Sequence, residues 1–233
     1  MNALVQWWDT NPITHLFFSL PAMKAAMPAI LKAFPVSIMF GLVSFLLAIP
    51  GGLTLSFMKM SKSRWLRWPA TIYVDVIRGT PLFLQILLVF FGLPLTPIYK
   101  TIVDAFALKQ YLFLGVDASI VWRGIMVLSL NSAAYMCEIF RAGIQSIPKG
   151  QSEAARSLGM TKTQTMAFVI LPQTVRRILP TMMSEFILLF KDTALLAAVS
   201  VAEMTLRAKE AAATSFNQSA YIAAACMYLV LTI

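Results

Sequence analysis

The chain has 233 residues, of which 59% are hydrophobic and only 12% carry a charge, and its formal net charge is +9. Soluble domains carry about 25% charged residues, so half that level points to lipid as the surrounding solvent and excludes a large soluble domain. With one histidine and two cysteines, a metal cluster built from these residue types is excluded as well. We therefore expect no metal and no other cofactor.

Residues 1–30 are predicted to form an interfacial segment on the outer side of the membrane. The stretch has no early Lys or Arg, and polar residues interrupt any apolar core, so it does not resemble a cleaved signal. Trp7, Trp8, Phe17 and Phe18 are typical of a segment that lies at the lipid headgroups.

Five largely apolar runs follow, each long enough to cross the hydrocarbon core as a helix of about 20 residues. They are residues 33–58, 79–99, 119–140, 178–201 and 211–233. The sequence thus predicts an all-α, polytopic membrane domain over residues 31–233, with about five transmembrane helices. The fifth run contains no closing Lys or Arg, so either a short tail follows it or the sequence is trimmed.

Basic residues concentrate in two of the loops between these runs. They are Lys59, Lys62, Arg64, Arg67 and Arg78 in the first loop, and Arg141, Lys149, Arg156, Lys162, Arg176 and Arg177 in the third. By the positive-inside rule both loops are cytoplasmic, which places the N-terminus outside and the C-terminus inside. Because anchoring in the bilayer explains the positive charge, no nucleic-acid partner is expected.

The third loop, residues 146–175, has its own helical pattern. Pro148 suits the first turn of a short helix over residues 151–158, and Gly159 fits the left-handed position that ends it. Thr161 with Gln164 has capping-box spacing and opens a second helix. Pro172 is predicted to close that second helix.

Periodicity alone leaves two interpretations of this loop open. An apolar stripe of Met166, Val169 and Ile170 suits an amphipathic helix lying on the membrane. Alternatively, Ala154 and Ala155 keep the first helix thin enough for another protein to approach closely.

A spacing pattern in the loop resembles the cytoplasmic signature of permease subunits of ABC importers. That signature is Glu-Ala-Ala, three residues, Gly, nine residues, an aliphatic residue, one residue and Leu-Pro. The matching residues are Glu153, Ala154, Ala155, Gly159, Val169, Leu171 and Pro172, with Val169 where the family often has Ile. The resemblance implies a type I ABC importer permease fold. It also implies that this loop, including Gly150 and Arg156, docks on a cytoplasmic ABC ATPase dimer.

Further stretches resemble the polar amino acid branch of that family, which includes histidine, arginine, glutamine, glutamate and cystine systems. They are Arg78-Gly79-Thr80-Pro81, Asn131-Ser132-Ala133-Ala134-Tyr135, residues 138–144 and Lys191-Asp192-Thr193. The resemblance implies a second permease subunit, identical or homologous, and an extracytoplasmic amino-acid-binding protein in a bacterial inner membrane. The chain has no Walker A glycine loop, so ATP would be bound by the partner and the chain is not expected to be an enzyme.

Polar residues inside the apolar runs are candidates for the substrate pathway, because charge within a span is costly and usually faces a pathway or a partner. The candidates are Asn131, Ser132, Tyr135, Glu185, Lys191, Asp192 and Thr193. The alternative role is hydrogen bonding between helices that fixes their packing. Glu138 with Arg141, and Asp75 with Arg78, are spaced for structural ion pairs.

Other functions fit the sequence less well. A membrane enzyme would need converging catalytic groups that this inventory does not offer, and a self-contained channel or secondary transporter would not need the helical loop at 146–175. A permease that transports another small solute is the remaining alternative. Pro50-Gly51-Gly52 in the first run is either a kink or a close-packing site.

Overall fold

The computed structural model describes residues 11–232, and most of them are helical. The α-helices are α1 Pro12–Phe17, α2 Leu20–Met60, α3 Arg64–Gly79, α4 Leu82–Leu87, α5 Pro97–Ala105, α6 Ala118–Gln145, α7 Lys149–Ser157, α8 Lys162–Gln164, α9 Leu171–Asp192, α10 Met204–Ser215 and α11 Ser219–Thr232. Two π-helical segments, Leu88–Gly92 and Thr165–Ile170, and three 3-10 segments, Leu93–Leu95, Leu108–Gln110 and Thr193–Val199, link or extend them. Apart from an antiparallel hairpin of β1 Leu112–Phe113 and β2 Val116–Asp117, the predicted helical class is confirmed.

Within the described residues, two helical stretches are long and apolar enough to cross a membrane, Pro12–Met60 and Ala118–Gln145. A third arises if α3 and Leu82–Leu95 are taken as one span with a bend of 105°. α11 is apolar but shorter. The predicted runs 33–58 and 119–140 therefore lie inside long helices, while the count of five and the orientation stay predictions.

The second predicted span, residues 79–99, is not one straight helix. Thr80 is extended, with φ −116° and ψ 144°, because a residue before proline avoids the helical conformation. The Gln85 carboxamide donates hydrogen bonds to the carbonyls of Ile77 (2.9 Å) and Thr80 (3.2 Å) at the break. Gly79-Thr80-Pro81 thus marks a bend between two helices, and the expected basic loop before it is largely helical.

The last two predicted spans are also divided differently. α9 starts before residue 178, and Thr193–Val199 continues it as a 3-10 helix that ends at Ser200, whose φ is 61°. A single helix over 211–233 is wrong, because α10 ends at Phe216 with a φ of 51°. The Asn217 side chain accepts the Ser219 amide proton at 2.9 Å, so it caps the start of α11.

The fold divides into two compact units, each with its own core. The first contains the described residues up to Gly41, Ile86–Gly124, and those from Phe190 onward. Beside Ile30, Phe190 and Met204, its core consists of small residues that let helices approach closely. They are Ala26 and Ala33 of α2, Ala208 and Ala212 of α10, and Ala220, Ala223 and Ala224 of α11.

Glu203 is fully buried in this first unit, where it caps α10. Its carboxylate accepts hydrogen bonds from the amides of Thr205 and Leu206, both at 2.8 Å, and from the Tyr228 hydroxyl at 2.9 Å. Burial raises the pKa of Glu203, and these hydrogen bonds offset that effect only in part. A helix N-terminus and one phenol thus hold a buried carboxyl group that hydropathy alone would have placed at a surface.

The N-terminal helix α1 is tied to the turn between α10 and α11. The Asn217 side chain donates to the His15 carbonyl at 2.8 Å, and the Gln218 amide donates to the Leu16 carbonyl at 2.9 Å. The Ser19 amide donates to the Ser219 hydroxyl at 2.8 Å. Phe17 and Phe18 are exposed, whereas Trp7 and Trp8 lie outside the described residues. Residue 30, the predicted boundary, falls inside α2.

The second unit, Leu42–Gln85 and Ile125–Leu189, packs α2 closely against α6. A Cβ atom added at Gly52 would overlap the Met136 Cβ and lie 2.9 Å from the Cys137 backbone nitrogen. α2 continues as a helix through Pro50. Of the two interpretations of Pro50-Gly51-Gly52, the structure supports close packing.

Candidate functional site

The loop between α6 and α9 has the helix and turn that its sequence predicts. α7 begins after Pro148, whose φ and ψ of −56° and 135° are non-helical, and Gly159 has a φ of +86°. The Met160 amide donates to the Ala155 carbonyl at 3.2 Å, and the Gly159 amide donates to the Arg156 carbonyl at 3.0 Å. These two bonds satisfy carbonyls that the helix end would otherwise leave free, and they require a left-handed residue at position 159.

The two sides of α7 differ in exposure. Ala155 is buried, and α7 packs there against the π-helical segment Thr165–Ile170. Gly150, Glu153, Ala154 and Arg156 are exposed on the other side. Leu158 at the end of the helix is 85% exposed. A large apolar side chain beside small and charged exposed residues is typical of a surface that receives another protein.

The second helix of the loop starts as predicted but does not stop as predicted. The Thr161 hydroxyl accepts the Gln164 amide proton at 3.3 Å, and the Gln164 side chain accepts the Thr161 amide proton at 2.9 Å, which completes the capping box. Pro172 does not close the helix, because it is the second residue of α9. The wider π-helical turns of Thr165–Ile170 directly before it accommodate a ring that has no N–H to donate. Leu171 and Pro172 therefore join the loop to a span.

Long-range hydrogen bonds, which sequence reasoning missed, hold α7 in place. The Gln173 side chain donates to the Gln151 side chain at 3.2 Å and to the Val169 carbonyl at 2.9 Å. The Arg177 guanidinium donates to the Ser146 carbonyl at 2.6 Å. These bonds connect α7 and the turn before it to the first two turns of α9.

Two of the predicted pathway residues are buried and already hydrogen-bonded within the second unit. The Asn131 side-chain amide donates to the Gln85 side-chain oxygen at 3.0 Å, and the Ser132 hydroxyl donates to a Glu185 carboxylate oxygen at 2.9 Å. Gln85 is not among the site residues predicted from the sequence. A Gln four residues after the proline that breaks the helix could have been recognised as a side chain that binds the free carbonyls there. The Asn131 to Gln85 bond connects α6 to the bend beside Thr80.

Two more of the predicted pathway residues, Tyr135 and Glu185, line a cavity of about 470 Å³ in this unit. The Arg78 guanidinium carbon lies 5.3 Å from the centre of the Tyr135 ring, a cation–π contact. Other lining residues carry charge or a hydroxyl group. They are Glu138, Ser146, Arg177 and Thr181. Two cations and two carboxylates around one space can bind both ends of a zwitterion.

Glu138 is the centre of a half-buried ion network next to that cavity. Arg141 donates to its carboxylate at 2.9 Å and 2.6 Å, as predicted, and Lys59 of α2 donates at 2.7 Å. Asp75 lies 3.6 Å from Lys59. The predicted ion pair of Asp75 and Arg78 is therefore wrong. Asp75 pairs with Lys59 instead, and Arg78 makes its cation–π contact with Tyr135.

Glu138→Gln is expected to lower the free energy of unfolding by roughly 3 kcal/mol, because it leaves Lys59 and Arg141 without their shared partner. Thermal unfolding of the purified protein in detergent measures this. Glu210→Gln is the matched control, since the Arg207–Glu210 pair at 2.7 Å is more exposed and should contribute less than about 1 kcal/mol. Equal shifts for the two variants would contradict a structural role for Glu138.

The remaining predicted pathway residues, Lys191, Asp192 and Thr193, belong to the first unit, where α9 ends. Lys191 is exposed, and the buried Thr193 hydroxyl donates to the Phe190 carbonyl at 2.7 Å. Among the described residues, no group hydrogen-bonds to the Asp192 carboxylate within the usual distance. The same part of the chain contains no cluster of metal-ligating side chains.

Comparison with known proteins shows the family to which this chain belongs. Residues 48–233 match the family described as "Binding-protein-dependent transport system inner membrane component". The chain is 36% identical over 208 residues to the arginine transport system permease protein ArtQ of Bacillus subtilis, covering 89% of this chain and 87% of ArtQ. It is 37% identical over 192 residues to the L-cystine transport system permease protein TcyB of the same organism, covering 82% and 74%.

A solved structure has the same fold. The crystal structure of an amino acid ABC transporter with histidines contains a chain that is 32% identical, with a TM-score of 0.75 and 92% of each chain covered. That family consists of transport permeases and not of enzymes. The chain belongs to the inner-membrane permease components of binding-protein-dependent ABC transport systems and has the type I ABC permease fold.

Proposed function

We propose that this permease subunit imports a polar amino acid, with energy from a cytoplasmic ABC ATPase dimer. ArtQ and TcyB are named for arginine and L-cystine, and the solved relative is an amino acid transporter. The observation that carries the coupling is the exposed side of α7 next to a left-handed Gly159. A second permease subunit, identical or homologous, completes the pathway, and an external binding protein delivers the solute.

In this proposal the loop at 146–175 converts ATPase closure into movement of the spans. The ATPase contacts Gly150, Glu153, Ala154 and Arg156, and Leu158 enters an apolar depression on its surface. The Gln151–Gln173 and Ser146–Arg177 hydrogen bonds support this role, because they make α7 and the start of α9 move together. Without such links, docking energy would be lost in bending the loop.

The proposed membrane arrangement has five spans, with the N-terminus outside and the C-terminus inside. Five spans require the segment before the last span to lie on the same side as the N-terminus. The hydrogen bonds from Asn217 and Gln218 to α1 support this requirement. Residues 1–30 are then an outer, interfacial segment, and residues 31–233 form the transmembrane domain.

The proposed pathway uses Asn131, Ser132, Tyr135, Glu185, Lys191, Asp192 and Thr193. The cavity beside Tyr135 supports it for the inner half of the membrane, where Arg78 faces the α-carboxylate and Glu185 faces the ammonium group. Asn131 and Ser132 position this site through Gln85 and Glu185.

The pathway assignment is tested by Asp192→Asn in proteoliposomes that contain the permease, its ATPase and the binding protein. We expect uptake to fall at least about tenfold, because the amide would no longer attract the ammonium group of the passing amino acid. Losing such a charge partner costs about 1.4 kcal/mol or more. Assembly with the ATPase should be unchanged, and Asp104→Asn, at an exposed carboxylate of α5, should transport normally. Unchanged uptake by Asp192→Asn would return Asp192 to a packing role.

The same proteoliposomes distinguish amino acid import from the competing function, transport of another small solute. Uptake of radiolabelled arginine, glutamine, glutamate, histidine and cystine is compared with uptake of a sugar. Failure of every amino acid would overturn the substrate class, and uptake that needs no ATPase would overturn the importer assignment.

A further inference from the structure

The start of α3 combines unpaired positive charge with exposed indole rings. Lys62, Arg64 and Arg67 lie within six residues, and no carboxylate of the described chain lies within 4 Å of any of them. Trp65 is 91% exposed and Trp68 is 64% exposed. Exposed indoles of this kind next to cations are characteristic of the level of the lipid headgroups.

The opposite side of α3 is buried, so this side points away from the protein core. Ala70 and Val74 are buried, and the Tyr73 hydroxyl donates to the Leu130 carbonyl of α6 at 2.6 Å. The helix is therefore fixed in rotation. Its outward residues cannot turn inward to find partners within this unit.

The outward residues form one line that winds gradually around the helix and has a charge at its end. Arg64, Trp68, Ile72 and Val76 are four residues apart, so each lies about 40° around the helix from the one before it, and the four share one broad face. Twelve residues rise about 18 Å. One leaflet of the hydrocarbon core is about 15 Å thick, half of the bilayer value. The line thus has the length and polarity of a single phospholipid, and an open cavity of about 770 Å³ runs beside it between Arg64 and Tyr73.

We propose that this surface, the tryptophan face (Arg64, Trp65, Trp68, Pro69 and Ile72), binds an acidic phospholipid. The phosphate binds the guanidinium groups of Arg64 and Arg67, which match its oxygens in geometry. Lys62 adds attraction for the second negative charge of an acidic headgroup. One acyl chain lies along Trp68, Ile72 and Val76.

A second copy of the chain fits this surface less well. In a symmetric dimer whose axis passes through this surface, the tryptophan faces of the two copies would meet, and their unpaired arginines would repel each other. A lipid phosphate instead neutralises them. The basic loop containing this surface is predicted to be cytoplasmic, which selects the inner leaflet.

The test uses tryptophan fluorescence of the full chain in detergent micelles. Phosphatidylglycerol with brominated acyl chains is titrated, and phosphatidylcholine with the same chains is titrated in parallel. We expect half-maximal quenching at a roughly tenfold lower lipid fraction for phosphatidylglycerol. Arg64→Gln combined with Arg67→Gln should remove this difference, whereas Lys100→Gln combined with Lys109→Gln, at two exposed cations elsewhere, should keep it.

A second variant attributes the signal to the tryptophan face. Trp65→Phe combined with Trp68→Phe should remove the part of the quenching that depends on phosphatidylglycerol. Equal quenching by both lipids, a preference that survives the arginine variant, or one that survives the tryptophan variant would each overturn the proposal. Protection of both tryptophans from either lipid in a dimer would also overturn it, in favour of a second copy.

Discussion

Gly159→Val is expected to abolish most ATP-driven uptake while leaving the protein folded in the membrane. The φ of Gly159 is +86°, a conformation that costs a residue with a Cβ about 1–2 kcal/mol and a β-branched residue more. That strain would release the turn that presents α7 and Leu158 to the ATPase. Because each 1.4 kcal/mol is a factor of ten in population, we expect uptake to fall by about tenfold or more.

The measurement is uptake together with substrate-stimulated ATP hydrolysis in proteoliposomes. Gly92→Val is the matched control, since neither glycine has an atom within 4 Å of an added Cβ but only Gly159 has a positive φ and lies in the docking loop. Gly159→Asn should keep most activity, because asparagine tolerates the left-handed region. Normal coupling in Gly159→Val would contradict the docking role of this turn.

Gly52→Ala is expected to destabilise the protein by about 3 kcal/mol, the upper end of the range for overpacked cores. The added Cβ would overlap the Met136 Cβ and approach the backbone of Cys137, and a helix backbone cannot rotate away as a side chain can. α2 and α6 would have to separate, which would also loosen the Lys59 to Glu138 ion pair.

Thermal unfolding in detergent checks this result. Gly79→Ala, where nothing lies within 4 Å, should change stability by less than about 0.5 kcal/mol. Gly51→Ala, whose Cβ would lie 3.3 Å from the Ala133 Cβ, should fall between the two. If Gly52→Ala matched the wild type while Pro50→Ala impaired transport, the kink interpretation would replace close packing.

Signals that lie within a few residues were readable from the sequence. The capping box of Thr161 and Gln164 and the left-handed Gly159 depend on backbone geometry over one or two turns, so their sequence spacing carries the information. The Glu138–Arg141 pair is local in the same sense.

Hydropathy failed where an apolar run hides a change of backbone. The run from 211 to 233 is interrupted at Phe216, since Asn217 caps α11 and binds the His15 carbonyl, a residue 202 positions away. Pro172 was predicted to end a helix, but the π-helical turns before it allow α9 to continue. Averages over about 20 residues cannot register a single capping residue or one wide turn.

The residues alone predict a helical membrane protein, a helix in the third loop that ends at Gly159, and the family that the chain resembles. These properties depend on composition, hydrophobic run length and local spacing. By contrast, the contacts of Lys59 with Glu138, of Gln85 with Asn131 and of Gly52 with Met136 are visible only in the folded chain. Each of these joins residues more than 40 positions apart, and such partners are chosen by how the helices pack and not by the residues beside them along the chain.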